Sequence, residues 1–318
     1  MKYYFAPMEG VTGSLYRRVH ATHFPGLDRY FIPFLEPREG KCFDGRDKRE
    51  IDPAENRGIP VVPQMLTNRA DRFLEGARRL AELGYGEVNL NLGCPARTVV
   101  TRGKGCGLLE RPEELERLLD EIFAKSPLPI SVKTRLGISE EEEFDDLLKL
   151  YRRYPMTELI VHARVLDDQY KGPVRQDCFA RSLEGAPWPV CYNGDLFTAR
   201  GIEAFAQRFP QTDRLMLGRG LIGNPGLVRE RKEGRPVTRQ ELRAFHDQLL
   251  EEYRIRLSGD RNVLCWMKEL WFYMICLFPD GGKEAKAIRK AQRLEDYQLA
   301  VSWLFEQREL KTEVGYHR

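Results

Sequence analysis

Short apolar runs rich in β-favouring residues recur along the chain, and amphipathic helical stretches separate them. The runs are Tyr3 to Ala6, Tyr30 to Phe34, Ile59 to Pro63, Glu87 to Asn91, Pro129 to Lys133, Glu158 to His162, Pro189 to Asn193 and Arg214 to Leu217. Each has the length and residue types of a strand. The stretch Arg69 to Leu83 places Phe73, Ala77, Leu80 and Ala81 on one helical face, and Pro112 to Lys125 also reads as a helix. Strands that alternate with helices pair in parallel, because each crossover returns the chain to the same sheet edge. Eight such units in about 220 residues predict a (β/α)8 TIM barrel rather than an open doubly wound sheet, which more often has five to seven strands.

After Gly234-Arg-Pro the pattern changes. Thr238-Arg-Gln-Glu241 has the form of a capping box, and no strand-like run follows it. Asn262 to Phe278 is short for a membrane span and carries Lys268 and Glu269, so it reads as a buried helix of a small bundle. The expectation is a barrel over residues 1–235 and an all-helical C-terminal domain over 236–318. The acidic run Ser139 to Asp146 reads as the start of a solvated helix, where carboxylates suit the N-terminal dipole.

Composition narrows the class. The 42% hydrophobic content is spread through 318 residues, as in a soluble globular protein, and the first residues lack the long apolar stretch of a secretory signal, which predicts a cytoplasmic protein without a membrane segment. The net charge of +3 lends little weight to a nucleic-acid partner, so that case rests on clustering. Seven cysteines form no CxxC pair, which excludes a zinc ribbon or thioredoxin motif and suits a reducing compartment. Cys191, within a strand, and Cys265 and Cys276, within a helix, occupy positions typical of packing. No metal site is expected; His20 and His23 are only a weak pair.

In a TIM barrel the active site lies at the C-terminal ends of the strands. There the sequence places Pro7-Met8-Glu9, Gln64, Asn91 and Cys94, Lys133 with Arg135, His162 with Arg164, Asn193-Gly194-Asp195, and Gly218-Arg219. One such residue means little, but polar groups at nearly every end predict a binding site. The ends of strands seven and eight often hold a phosphate, and Leu217 to Gly223 offers backbone N–H groups and an arginine. GRGLIG matches a dinucleotide fingerprint, but Pro225 stands directly behind it and no strand follows to complete a βαβ unit. Lys133 could hold negative charge on a ring system, and Gln64 and Asn193 could read ring edges, as a flavin site requires. Cys94, at the mouth of the barrel, could be a nucleophile, a metal ligand or a proton donor; spacing does not choose among them.

Taken in order, APMEGVT, VPQML, NLNLGCPARTV with GKGCGLL, SVKTRLG, LIVHARVLDDQYKG, YNGD and MLGRG resemble the tRNA-dihydrouridine synthases over nearly the whole chain. The resemblance implies an enzyme that reduces a uridine of tRNA with FMN as cofactor and NADPH as reductant. It implies that Cys94 gives the proton to C5 of the uracil. FMN contacts would be Pro7, Met8, Glu9, Gln64, Lys133, His162, Asn193, Gly194, Asp195, Gly218 and Arg219. Asn91, Arg135, Arg164 and Tyr170 match family positions near the base or the RNA strand. The C-terminal helical domain would bind tRNA, with Lys268 at a basic family position and Lys283, Lys286, Lys290 and Arg293 at helical spacing as one basic stripe. No protein partner is implied.

This chain departs from the family pattern in three places: Ala163 and Val165 stand in the usual HGRT, Gly13 stands where Asp is common, and Cys106 stands where Ala is frequent. Two other readings remain open at this point. One is an FMN barrel acting on a free pyrimidine or another small conjugated substrate, and the other is a non-catalytic RNA-binding protein.

Overall fold

A computed structural model describes residues 1–316; positions 317 and 318 of the expected helical domain lie outside the described residues. Eight strands close into a barrel in chain order. They are β1 (Lys2–Phe5), β2 (Arg29–Leu35), β3 (Val61–Met65), β4 (Val88–Leu92), β5 (Ile130–Arg135), β6 (Leu159–His162), β7 (Val190–Asn193) and β8 (Arg214–Leu217). The pairings from β1 to β8 are parallel, and helices such as Ala70–Glu82 and Pro112–Lys125 cover the crossovers.

The chain forms two compact units. The first comprises Met1–Pro7, Arg29–Gly194 and Phe209–Met216; the second comprises Met8–Asp28, Asp195–Arg208 and the chain from Leu217 onward. In the first, Tyr4, Ala6, Phe31, Val62, Ile160, Cys191 and Met216 pack as a buried cluster inside the barrel. Below it, Glu158 accepts hydrogen bonds from Tyr4 at 3.1 Å and Arg214 at 2.8 Å, so the charge at the N-terminal end of β6 is matched. Side chains two residues apart on a strand share a face. Gln64, His162 and Asn193 therefore lie on the same barrel face as the core residues Val62, Ile160 and Cys191.

In the second unit the helix Ser14–His23 packs on Arg239–Arg256 through Phe245, whose ring meets Tyr16 at 5.8 Å and Phe24 at 5.5 Å, both edge-on. Thr238 and Glu241 form the expected capping box at the start of Arg239–Arg256. Glu241 also receives both terminal nitrogens of the buried Arg229, at 2.7 and 2.8 Å. The helices Asp260–Met274, Gly282–Lys290 and Leu294–Gln307 follow. Gly13 is the N-cap of Ser14–His23 and gives it no side-chain hydrogen bond, a role that an Asp would fill. Among the described residues no helix is long and apolar enough to cross a membrane.

Four local expectations change. β3 continues past Pro63 to Met65, because a fixed proline φ is compatible with a strand at the loss of one ladder donor, so Gln64 lies within the strand. The acidic run does not begin a helix at Ser139. The Glu143 carboxylate accepts from the N–H groups of Ile138, Ser139 and Glu140, which folds that segment ahead of the helix Glu143–Tyr151. Cys265 is exposed rather than packed, while Cys191 is fully buried. The basic stripe is broken, since its helix ends at Lys290 and Arg293 caps the next one, paired with Asp296 and Glu295 at 3.2 Å each.

Candidate active site

The polar layer of the first unit begins as a row of amides. Asn89 and Asn91 alternate with Val88, Leu90 and Leu92 along β4, so both face one way. Asn91 Nδ2 donates to Gln64 Oε1 at 2.7 Å, Gln64 Nε2 to Asn89 Oδ1 at 2.8 Å, and Asn89 Nδ2 to Ser131 Oγ at 2.9 Å. At the other end Asn91 Oδ1 accepts from the backbone N–H groups of Gly93 at 3.1 Å and Cys94 at 2.9 Å. All four side chains of this row are buried.

Cys94 is partly exposed and opens the loop after β4. Its carbonyl accepts from Cys106 N at 3.1 Å, and the loop is packed so closely there that a Cβ on Gly105, whose φ is +56°, would lie 2.9 Å from the Cys94 oxygen. The Cys106 thiol is buried, directed at the Gly137 carbonyl 3.8 Å away, and burial pushes its pKa up to about 12. Cys106 is therefore a packing residue behind the Cys94 loop, protonated at neutral pH.

Lys133 stands on β5 opposite Asn91 of β4. Burial, and then the charge of Arg135, bring its ammonium pKa down to about 8. Among the described residues no carboxylate forms an ion pair with Lys133 and no hydrogen bond is made by its Nζ. Lys133 is partly buried, and a half-buried cation without an anion costs stability until something supplies one.

Arg135 at the end of β5 is fully buried and ties two loops together. Its Nε donates to Gly93 O at 3.0 Å and its Nη1 to Val165 O at 2.9 Å. The Tyr170 ring covers its guanidinium at 5.2 Å and stacks on His162 at 6.0 Å. Tyr170 is 42% exposed and follows Gln169, whose φ of +52° makes it the one non-glycine among the described residues in the left-handed region. Asp168 secures this loop by accepting from Val165 N at 3.1 Å and pairing with Arg175. Arg164 donates to Gly172 O at 2.7 Å and lies 3.3 Å from His162 Nε2. A guanidinium has no acceptor, so His162 Nε2 receives that bond and carries no proton.

The departures at 163 and 165 fit this packing. Both side chains are buried, and both positions work through the backbone: Ala163 N donates to Asn193 O at 3.1 Å, and Val165 O receives Arg135. Asn193 Nδ2 donates to Met216 O at 2.8 Å, and Gly194 is required because a Cβ there would lie 2.1 Å from the Tyr192 hydroxyl.

Pro7 ends the first segment of the first unit, partly exposed. In the second unit Met8 begins a turn that Thr12 pins, with Met8 N donating to Thr12 Oγ1 at 2.9 Å, and Glu9 is exposed on it. Gly218 precedes the short helix Arg219–Gly223, which ends before Pro225 as the sequence implies. Arg219 pairs with Asp195 at 2.5 Å and lies between the rings of Phe197 at 5.4 Å and Tyr316 at 5.7 Å. Lys268 is half-buried and donates to the Ala291 carbonyl, so it ties two helices together, whereas Lys283, Lys286 and Lys290 are exposed on Gly282–Lys290. His20 and His23 bond to Pro225 O at 3.1 Å and Gln248 Oε1 at 2.7 Å, and among the described residues no group of His, Cys, Asp and Glu could hold a metal ion.

Two residues of the amide row, Asn89 and Ser131, were not singled out from sequence. The alternation Val-Asn-Leu-Asn-Leu carries the signal for Asn89, while Ser131 needs the β4–β5 register, which pairs it with Asn89.

The sequence model of the family described as Dihydrouridine synthase (Dus) matches residues 4–257. A tRNA-dihydrouridine(16) synthase of Cupriavidus necator is 30% identical over 313 residues, covering 91% of this chain and 92% of the relative. A probable tRNA-dihydrouridine synthase 1 of Synechocystis is 29% identical over 286 residues, covering 84% and 76%. Among solved structures, an old yellow enzyme homologue from Zymomonas mobilis aligns with a TM-score of 0.54 at 13% identity, covering 74% of this chain and 90% of its own. Morphinone reductase aligns at 0.53 and 10%, covering 74% and 87%; at such identities the likeness is one of fold.

Proposed function

Because the chain belongs to the dihydrouridine synthase family, we propose that it reduces the C5–C6 double bond of a uridine in tRNA, with FMN as cofactor, NADPH as reductant and Cys94 as the proton donor. The observation that carries the cofactor reading is Lys133, a partly buried cation on the polar face of β5 opposite Asn91, with no carboxylate among the described residues to pair with it. The donor set around it suits a flavin ring: an ammonium for negative charge, and Asn193 and His162 on the same barrel face. Bound FMN, once reduced, supplies the hydride that C6 receives.

The residues of the chain do the rest. A uracil turned out of its stack reaches a site of this kind at the cost of a few kcal/mol of lost stacking, roughly. The Cys94 thiol gives its proton to C5, and the fixed backbone of its loop sets the approach. The lone pair of His162 Nε2 is engaged by Arg164, which counts against it as the base for a thiol nucleophile and favours Cys94 as an acid. Tyr170, exposed and backed by Arg135, offers a ring face for a base or for the RNA strand. Residues 236 onward would form the tRNA-binding part, with Lys283, Lys286 and Lys290 toward phosphates.

The test is dihydrouridine mapping in tRNA from cells that lack the gene, complemented with wild type or Cys94→Ala. The expected result is loss of specific dihydrouridines, restored by wild type alone, while purified Cys94→Ala remains yellow. Full restoration by Cys94→Ala would remove Cys94 as the acid. A colourless wild-type protein would overturn the cofactor reading, and reoxidation of the reduced flavin by free pyrimidines but not by tRNA would favour a small-molecule substrate.

A further inference from the structure

We propose that Asn89 and Ser131 are positioning residues for Cys94, acting through a one-directional chain of side-chain amides that ends on the Cys94 backbone. The inference rests on the functional reading above. The chain runs from Cys94 N–H to Asn91, Gln64, Asn89 and Ser131, with every link between 2.7 and 2.9 Å.

Its direction is fixed at one end. The N–H groups of Gly93 and Cys94 only donate, so Asn91 presents its oxygen to them and its NH2 to Gln64. Gln64 must then receive with Oε1 and donate with Nε2, and Asn89 must receive with Oδ1 and donate onward. Ser131 Oγ accepts that last bond and holds the Asn89 amide against turning over. A turned Asn89 would set its NH2 against the NH2 of Gln64. Aligned amides also polarise one another, so each bond strengthens the next.

Rigidity follows from burial and register. Gln64, Asn89 and Ser131 pair across β3, β4 and β5, and all three have no solvent exposure. Water has no access to replace a lost partner, so a break at the Ser131 end is felt at Asn91. Asn91 Oδ1 is the acceptor that gathers Gly93 N–H and Cys94 N–H, and with it the first turn of the loop that carries the thiol. A purely structural polar cluster would have no reason to end on the backbone of that residue and the one before it. An approach error of the order of 1 Å at a reacting atom costs about a hundred-fold in rate.

The experiment compares wild type, Asn89→Leu and Ser131→Ala as FMN-loaded full-length proteins. Hydrogen exchange of the peptide containing Gly93 and Cys94, and the rate of Cys94 alkylation by iodoacetamide, report the loop without requiring turnover. Rapid-mixing kinetics then separate reduction by NADPH from reoxidation by tRNA.

The expected result for Asn89→Leu is faster exchange at 93–94, an altered alkylation rate, and tRNA-dependent reoxidation slowed about a hundred-fold, with NADPH-dependent reduction slowed far less. Ser131→Ala, which keeps every other link, is expected to show the same changes at about one tenth of that size, and it decides the matter if Asn89→Leu does not fold. Unchanged exchange and alkylation in a folded variant would overturn the proposal, as would equal slowing of both half-reactions. If wild type forms no dihydrouridine, the functional reading fails, while exchange and alkylation still judge the amide chain.

Discussion

Replacing Lys133 with methionine is expected to make the flavin-free protein more stable and the flavin-bound protein weaker in its grip. Burial and Arg135 lower the ammonium pKa from 10.5 to about 8. A folded pKa below the unfolded one means that the charged lysine opposes folding. The penalty is full below pH 8 and fades as pH rises from 8 toward 10.5. At about 1.36 kcal/mol per pH unit, the shift amounts to roughly 3 kcal/mol at pH 7, and methionine keeps the apolar stem while removing the charge. For a chain of this size that corresponds to about 4 to 5 °C in the unfolding midpoint.

The assay is thermal unfolding of flavin-free wild type and Lys133→Met at pH 7 and pH 10, followed by FMN titration. Wild type should gain stability between the two values and the variant should show less of that gain. FMN affinity should fall at least about thirty-fold, the low end of what truncating one member of a buried charge pair costs. A variant less stable than wild type at pH 7, with FMN affinity intact, would refute the account of Lys133 as an unmatched, partly buried cation.

Changing Lys283, Lys286 and Lys290 together to glutamine should weaken tRNA binding and reduce the salt slope by about two to three, leaving flavin content alone; equal affinity and slope would remove this face from the interface. Adding Arg293→Gln should contribute little, because that residue is paired with Asp296 and Glu295. Arg229, together with the N–H and hydroxyl of Thr238, brings the Glu241 pKa down to about 2. A depressed carboxylate stabilises above its unfolded pKa and loses that contribution as pH falls through the folded value. Acid unfolding between pH 4 and 2 should therefore be less steep in Glu241→Gln than in wild type, although the variant is less stable at pH 7.

Strand periodicity was enough to read the barrel, because eight apolar runs alternating with helices admit few other arrangements, and all eight strands overlap the runs. Within the first unit Gln64, His162 and Asn193 could be assigned to strand ends for the same reason, and they share one barrel face. Part of what escaped was decided across strands. Ser131 looks like an ordinary small residue in an apolar run until register sets it beside Asn89. Pro63 reads as a stop in one dimension, yet in the sheet it lies opposite Ile32 and the strand goes on. The stripe through Arg293 followed helical spacing across Ala291, where the helix turns out to end. The role of Glu143 was hidden because a carboxylate that reaches backward to three N–H groups looks, in sequence, like any other acid in an acidic run.

The second unit joins the beginning of the chain to its end: the helix Ser14–His23 finds its cover in Phe245 and the rest of Arg239–Arg256. During synthesis that early helix leaves the ribosome more than two hundred residues before its partner. At about 5 to 20 residues per second it waits on the order of ten seconds or more without Phe245 to cover Tyr16 and Phe24. The β1 strand, only a few residues ahead, belongs to the other unit and has its neighbour β2 at hand much sooner. A nascent chain halted before Arg256 would carry a sticky segment near its first residues, a natural handle for a chaperone and the weak point of any truncated form.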